Sequence, residues 1–247
     1  IQMAVLPTPE MLRQRLPNHY LYYRPRDIVS GDFFWAFSRR NRIIFAVVDC
    51  TGHGVPGALM AILGAITLNL ILRDFSDIRP NLLLAEMNDR IMAQLRQAYL
   101  RRVQVDEPPL DSLDVALCSY DARSRELSFA GANRPMYRMR GAELTLFPGD
   151  KYSIGGMETD RHFTEKVMAV EPHDRFYLFT DGLTDQLGGE HARKLTPARL
   201  QDFLKTHHHL DMQAQHEAFT AFFAQWMGRC RQLDDVTLLG VEIDGRR

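Results

Sequence analysis

Residues 43–57 read Ile-Ile-Phe-Ala-Val-Val-Asp-Cys-Thr-Gly-His-Gly-Val-Pro-Gly. The apolar run 43–48 has the length and composition of a buried strand, and it ends at a single carboxylate, Asp49. Glycines then mark a turn, and Pro56 stands where a helix would begin. This order delivers Asp49 to the rim of a sheet, where a lone carboxylate is costly to desolvate without a partner. We expect the partner to be a metal ion.

The composition suits a globular protein of one large domain or two small ones. The chain has 247 residues, 45% of them hydrophobic, and its 30 basic and 31 acidic residues give a net charge of −1. A near-neutral charge offers no general argument for binding nucleic acid or a membrane. The longest apolar stretch, 58–72, is shorter than the roughly 20 residues of a membrane span and contains Asn69. We therefore expect no nucleic-acid partner and no spanning helix in this chain.

The cysteines and the first residue indicate the cellular location of the protein and whether the sequence is part of a longer chain. Cys50, Cys118 and Cys230 form an odd, sparse set in or beside apolar runs. Such cysteines favour reduced thiols over a disulfide framework and predict a cytoplasmic location. No signal peptide is recognisable. Because the sequence begins at Ile1 rather than Met, we expect it to be a piece of something longer.

The periodicity of apolar residues predicts helices at both ends of the chain and mostly short strands between them. Helices are predicted at 56–73, 81–102, 196–206 and 214–231, with a proline-interrupted helix at 1–16. Strands are predicted at 20–23, 32–37, 43–48, 113–120, 126–130, 136–140, 143–147, 163–170, 175–179 and 236–243. Hairpins in the middle indicate an α+β layered domain rather than a parallel doubly wound sheet.

Several acidic residues share one context, the end of an apolar run beside small or turn residues. They are Asp32, Asp49, Asp181 and Asp234. Strand ends can meet at one edge of a sheet, where clustered carboxylates without Lys or Arg would repel one another. Mg²⁺ or Mn²⁺ cancels that repulsion and prefers oxygen ligands. Two such ions about 4 Å apart can activate a bridging water and hold phosphate oxygens for in-line attack.

Each acid taken alone also has a structural explanation. Asp181-Gly182 is a common turn dipeptide, Asp234-Asp235 could cap or break a helix, and Asp49 could cap the helix that follows it. The histidines give no zinc-like spacing. His53, between two glycines, could move protons, but a structural turn is favoured, and the run 207–209 is interpreted as a helix-end loop.

Motifs along nearly the whole chain resemble the SpoIIE/RsbU-type serine phosphatases, the bacterial branch of the PPM (PP2C-like) metal-dependent protein phosphatases. They are Tyr-Arg-Pro-Arg-Asp-Ile-Val-Ser-Gly-Asp-Phe-Phe-Trp (23–35), Asp-Cys-Thr-Gly-His-Gly-Val-Pro-Gly-Ala (49–58), Phe-Ala-Gly-Ala-Asn-Arg-Pro (129–135), Phe-Thr-Asp-Gly-Leu-Thr-Asp (179–185) and Asp-Asp-Val-Thr-Leu-Leu (234–239). The resemblance implies a PP2C-like α-β-β-α sandwich over residues 19–247, with two antiparallel sheets flanked by helices. Residues 1–18 resemble the end of a linker helix from an upstream regulatory region.

The resemblance also implies roles for individual residues. Asp49 would bridge two Mn²⁺ or Mg²⁺ ions with help from the Cys50 carbonyl, and metal-bound water would be the nucleophile. Asp181 and Asp234 would hold one ion. Asp32 would either bind an ion itself or support the residues that do. Asp114 matches the closing aspartate of a family motif, although residues 110–114 depart from its usual Asp-Gly-Met-Asp. It is a candidate for a third, weaker ion, with a structural role at a strand edge equally open.

Two positions near these acids leave alternatives open. Asp235 competes with Asp234 as the ligand of that pair, and Asp234 is favoured because the family's ligand comes first. Arg26 is a candidate for gripping the substrate phosphate, since a guanidinium suits phosphate oxygens, and a surface salt bridge is the alternative. Ser30 stands where many relatives have a second glycine.

The family's substrates are usually phosphoserine or phosphothreonine on small STAS-domain proteins, which act as anti-sigma antagonists in partner-switching pathways. Its members are often joined to upstream sensor or HAMP modules, so this domain could belong to a membrane-anchored sensor and could form a homodimer through its linker helix. A catalytically silent, partner-binding phosphatase fold is the main alternative. A dinucleotide fold also fits Gly52-x-Gly54-x-x-Gly57, but Asp49 would repel a pyrophosphate there.

Overall fold

The computed structural model describes residues 2–101, 111–155 and 161–244. The last residue of the helix predicted at 81–102 therefore lies outside the described residues. So do Ile1, Leu110 of the 110–114 motif, and residues 245–247 of the predicted phosphatase domain.

The helices lie close to their predicted positions. They are α1 (Gln2–Val5), α2 (Pro9–Arg15), α3 (Gly54–Asp74), α4 (Pro80–Arg101), α5 (Asp181–Asp185), α6 (Thr196–Thr206) and α7 (Met212–Met227). The short helix α5 was not predicted. The predicted helix 214–231 was too long, because Gly228 has a positive φ of 52° and stops α7. The interpretation of the histidine run as a helix-end loop is confirmed, since α6 ends just before His207.

The strands form two antiparallel sheets. They are β1 (His19–Arg24), β2 (Phe33–Arg39), β3 (Arg42–Cys50), β4 (Ser112–Asp121), β5 (Glu126–Ala132), β6 (Met136–Arg140), β7 (Glu143–Phe147), β8 (Ile154–Gly155), β9 (Lys166–Ala169), β10 (Asp174–Phe179), β11 (Leu187–Gly188), β12 (Arg193–Lys194) and β13 (Val236–Ile243). The five-stranded sheet has the order β1-β13-β10-β6-β7. The six-stranded sheet has the order β2-β3-β4-β5-β9, with β8 beside β4. β11 and β12 form a separate hairpin.

The apolar residues divide into three layers of core. Along β3, Ile44, Ala46 and Val48 face α3 and α4, whereas Phe45 and Val47 face the other sheet. A third cluster joins the five-stranded sheet to α6 and α7. This alternation follows from the two-residue period of a strand, and it confirms the predicted α-β-β-α sandwich of two antiparallel sheets flanked by helices.

Helix α3 is apolar on nearly every side. By length and composition alone it could cross a membrane, so the apolar stretch is longer than the sequence suggested. However, 56% of its most apolar 18-residue stretch is buried inside the protein. Ala61, Ala65 and Leu68 have no exposed surface and pack in the core with β2 and β3. This burial accounts for part of the apolar composition of α3, whereas Val55, Leu59 and Ile66 are exposed.

Three glycines meet where the loop before β2 touches the loop after β3. A Cβ on Gly57 would lie 2.1 Å from the carbonyl oxygen of Gly52 and 3.0 Å from Cα of Gly31. A Cβ on Gly31 would lie 2.5 Å from that same oxygen. These contacts are between backbones, which cannot turn aside as a long side chain can. The loop ahead of β2 and the first turn of α3 are therefore in direct contact only because side chains are missing there.

We expect Gly57→Ala to reduce the free energy of unfolding by about 3 kcal/mol or more, because the added methyl group meets main-chain atoms. Urea denaturation measures the change. Gly141→Ala is the matched control: Gly141 has a φ of 54° but open space around it, so we expect a cost of only about 1–2 kcal/mol. Equal costs for the two variants would contradict the close-contact explanation.

Candidate active site

The predicted acidic residues converge at one edge of the sandwich. Asp32 precedes β2, and Asp49 lies near the end of β3, directly opposite Asp114 of β4. On the five-stranded sheet, Asp181 follows β10 and Asp234 precedes β13. Adjacent strands run antiparallel, so the end of one lies beside the start of the next. This is the convergence that the sequence predicted.

These residues surround a small open cavity of about 250 Å³. Its lining consists of Asp49, Cys50, Thr51, Gly52, Ser112, Asp114, Arg134, Ser153, Asp181 and Asp234. The side chains of Asp49 and Asp114 are 18% and 13% exposed, whereas that of Asp181 is 46% exposed. The pocket thus has a desolvated floor on the six-stranded sheet and an open side on the five-stranded sheet.

Asp32 lies behind the pocket and connects the two sheets. Its Oδ2 accepts hydrogen bonds from the hydroxyls of Thr180 at 2.7 Å and Thr237 at 2.8 Å. The backbone N–H of Thr237 donates to Oγ1 of Thr180 at 3.0 Å. Both threonines belong to the five-stranded sheet or its loops, whereas Asp32 leads into the six-stranded one. A carboxylate that is 2% exposed requires such donors.

Asp234 and Asp235 have different surroundings. Asp234 lines the pocket. Asp235 is 2% exposed, and its two oxygens accept hydrogen bonds from the backbone N–H groups of Arg26 and Gly31, both at 2.7 Å. Asp235 therefore fastens the loop ahead of β2. Oδ1 of Asp234 accepts a hydrogen bond from the Asp235 N–H at 2.8 Å, and Asp234 is the member of the pair that faces the pocket.

A guanidinium occupies the middle of the cluster. Nη2 of Arg134 lies 2.6 Å from Asp181, 2.7 Å from Asp114 and 3.3 Å from Asp49. Asp114 also accepts a hydrogen bond from Nδ2 of Asn133 at 2.7 Å and one from the hydroxyl of Ser153. Arg134 contradicts the expectation of a carboxylate cluster without Lys or Arg.

Burial dominates the electrostatics of the site. It raises the pKa of Asp32 to about 8, with the nearby Asp235 adding to the shift and the threonine hydroxyls opposing it. Burial, and next the charge of Asp32, raises the pKa of Asp49 well above its ordinary value, although Arg134 opposes this. Burial also raises the pKa of Asp234. Burial thus disfavours the charged forms of these carboxyl groups, and the hydroxyls and Arg134 compensate only in part.

Cys50, Arg26 and His53 are further candidates from the sequence. Burial raises the pKa of the Cys50 thiol well above its ordinary value, so only its backbone carbonyl is suited to a hard cation. Arg26 is exposed, lies outside the pocket lining, and donates from Nη1 to the Leu233 carbonyl at 2.8 Å. His53 pairs with Asp27 at 3.2 Å at the start of α3, as a turn histidine would.

The donor set fits hard divalent cations. The pocket lining contains several carboxylates and a single positively charged side chain, Arg134. Mg²⁺ in proteins typically binds one or two carboxylates and keeps several water ligands. Within the described ranges, only His173, Glu242 and Asp244 bring three ligand atoms within 4.8 Å of one another. They lie at the opposite end of β10 and β13, and Glu242 is already paired with Arg175 at 2.7 Å. The pocket aspartates are more widely spaced, which suits ions that also bind water.

The N-terminal segment touches the loop that carries Asp32. Nε2 of Gln2 donates to the Ser30 carbonyl at 2.5 Å, and the Ser30 N–H donates to Oε1 of Gln2 at 3.1 Å. The amide thus bonds both backbone groups of one residue. The prediction that residues 1–18 are the end of a linker helix stays a prediction.

Comparison with known proteins identifies the class. The family described as Stage II sporulation protein E (SpoIIE) matches residues 39–244. The chain belongs to the SpoIIE family and is a PP2C-type serine phosphatase domain of the PPM class. No curated protein sequence matches it.

Solved structures agree with the family. The SiaA-PP2C domain of Pseudomonas aeruginosa is 33% identical, with a TM-score of 0.87 over 98% of this chain and 93% of that one. The RsbU and RsbW domains of Rv1364c from Mycobacterium tuberculosis are 19% identical, with a TM-score of 0.71 over 93% of this chain and 61% of that one. RsbX in complex with magnesium is 13% identical, with a TM-score of 0.61 over 91% of this chain and 94% of that one. The last two show a shared fold.

Sequence reasoning missed Thr180, Thr237 and Arg134 as parts of the site. All of them stand inside motifs that carry the family resemblance, at 179–185, 234–239 and 129–135. A polar residue within such a motif, beside an acid or a turn, was the available signal. Only the structure shows which carboxylate each one contacts.

The raised pKa of Asp32 predicts a pH effect on the metal-free protein. Between about pH 4 and 8 the folded protein keeps a proton on Asp32 that the unfolded chain has lost. The free energy of unfolding should therefore fall as pH rises through this window, by on the order of a few kcal/mol. Asp32→Asn should reduce the fall, since an amide cannot ionise. Urea denaturation in EDTA at pH 5 and pH 8 tests this, and equal slopes in the two proteins would contradict it.

The separation of Asp234 from Asp235 predicts two different phenotypes. Asp235→Ala leaves the buried N–H of Gly31 and the partly buried N–H of Arg26 without an acceptor, so it should reduce stability by about 2–4 kcal/mol with or without Mn²⁺. Asp234→Asn should change stability in EDTA by less than about 1 kcal/mol and should lose the stabilisation that Mn²⁺ gives. Thermal melts with and without Mn²⁺ distinguish them. The assignment is wrong if Asp235→Ala alone removes the effect of Mn²⁺.

Proposed function

We propose that this domain hydrolyses phosphoserine or phosphothreonine on a small regulatory protein, with two Mn²⁺ or Mg²⁺ ions held at the acidic pocket. The observation that carries the proposal is the meeting of Asp49 and Asp114 from one sheet with Asp181 and Asp234 from the other. Such a concentration of oxygen donors around an open cavity suits a phosphate ester that is neutralised by divalent cations. The metal dependence of the PPM class and the magnesium complex of RsbX support this choice.

The residues have distinct proposed roles. Asp49, with the Cys50 carbonyl, would contact both ions, and Asp181 and Asp234 would hold one of them. Asp32, which lies outside the pocket lining, would support these ligands. Divalent ions held there would lower the pKa of water and neutralise phosphoryl oxygens. Asp114 as a ligand of a third ion and Arg26 as a phosphate contact are further proposals, and Asp114 is the better placed of the two.

The proposed substrate is a phosphorylated STAS-domain protein. The support is the family, together with a relative whose chain joins an RsbU domain to an RsbW domain. We also propose an upstream sensor or HAMP-type module, a homodimer formed through the N-terminal helices, and a cytoplasmic position for this domain. The contact between Gln2 and Ser30 gives an upstream segment a physical route to the site.

We expect Asp49→Asn to lower Mn²⁺-dependent phosphate release from p-nitrophenyl phosphate and from a phosphorylated STAS protein by more than about 100-fold. The substitution removes an anionic oxygen from a hard cation, and weaker changes around metal sites already cost 10–100-fold. Phosphate release with the metal varied gives the measurement.

Asp121→Asn is the matched control, because Asp121 lies at the far end of β4 and pairs with Arg42 at 3.1 Å. It should keep wild-type activity. Full activity of Asp49→Asn at limiting Mn²⁺ would overturn the catalytic proposal. Turnover of p-nitrophenyl phosphate with no release from any phosphoserine protein would overturn the substrate proposal alone.

A further inference from the structure

Arg134 is the most heavily ion-paired side chain at the site. It is 10% exposed, and a single nitrogen, Nη2, contacts Asp181, Asp114 and Asp49 within 3.3 Å. Although burial by itself lowers the pKa of Arg134, the charges of these aspartates raise it above the ordinary value. Its Nε is buried and has no hydrogen-bond partner. The guanidinium is therefore fully charged and held by carboxylates alone.

The backbone fixes Arg134 in this position. A Cβ on Gly131 would lie 2.1 Å from the Arg134 carbonyl oxygen, and one on Gly149 would lie 2.5 Å from it. Asn133, the preceding residue, has a φ of 55°. This turn between β5 and β6 leaves little room for adjustment. The chain is thus built to send one cation into the acidic pocket.

The pocket needs a cation even when it holds no metal. Asp49 and Asp114 lie directly opposite each other on β3 and β4, and like charges in such cross-strand pairs are destabilising. Arg134 supplies the compensating charge. A divalent ion at the same carboxylates would be repelled by the positive charge already present there.

We propose that Arg134 is a resident cation that holds Asp49, Asp114 and Asp181 together in the metal-free enzyme and competes with divalent ions for them. The proposal rests on the proposed role of these aspartates as metal ligands. It would account for weak binding of a third ion at Asp114, because one oxygen of that carboxylate accepts from Arg134 and Asn133 and the other accepts from Ser153. The guanidinium sets the metal concentration at which the last ion binds.

The test compares Arg134→Gln and Arg134→Lys with the wild type by calorimetric titration with Mn²⁺ and by thermal melts in EDTA. Arg134→Gln removes the charge, so its weakest Mn²⁺ site should bind on the order of tenfold tighter. Its melting temperature in EDTA should fall, because the aspartates lose their counter-ion. Arg134→Lys keeps the charge, so its Mn²⁺ affinity should stay within about threefold of the wild type.

Arg140→Ala is the matched control. Arg140 pairs with Asp174 and Glu171 far from the pocket, so this variant should lose stability without any change in Mn²⁺ affinity. Unchanged or weaker Mn²⁺ binding by Arg134→Gln would overturn the inference and leave Arg134 as a structural salt bridge or a support for the ions. A wild type that binds no Mn²⁺ would instead overturn the proposed function. If Arg134→Gln does not fold in EDTA, the variant is refolded with Mn²⁺ and the affinity of its weakest ion is measured by competition with increasing chelator while the protein stays folded.

Discussion

The hydrogen bonds from Thr180 and Thr237 to Asp32 hold the site together. Asp49 and Asp114 belong to one sheet, and Asp181 and Asp234 flank strands of the other. Apolar packing between the sheets fixes their separation only loosely, because it has no direction. A buried carboxylate that accepts two hydroxyls does have direction. It sets the distance between the two halves of the pocket.

The site stores unfavourable electrostatic energy. Desolvation and mutual repulsion both disfavour the charged forms of Asp32 and Asp49, and the folded chain offsets them only in part with hydroxyl groups and Arg134. The rest of the protein compensates through three layers of apolar core. A binding site for hard cations is thus obtained at the expense of the stability of the empty fold, which is common at functional sites.

Much of this arrangement could be predicted from the sequence. Apolar runs that end in single acids predicted the strands and the position of Asp49, and the resemblance of several motifs to a known family implied the sandwich. Arg134 could not be found this way, because it lies in a turn where periodicity says nothing about side-chain direction. The partners of Asp32 are 148 and 205 residues away along the chain. The different roles of Asp234 and Asp235 depend on which one faces the loop ahead of β2, and only the folded backbone determines that.

The contact of Gly31, Gly52 and Gly57 has a consequence for how such sequences can diverge. Gly31 and Gly57 are closed to a side chain by the carbonyl oxygen of Gly52, whereas Gly52 has open space but a φ of 84°. A side chain at Gly31 or Gly57 becomes tolerable only after the two loops have moved apart. Substitutions at Gly31 and Gly57 are therefore expected only together with changes in the loops around them. Neutral substitutions are expected to accumulate one at a time at the surrounding positions and to be rare at Gly31 and Gly57.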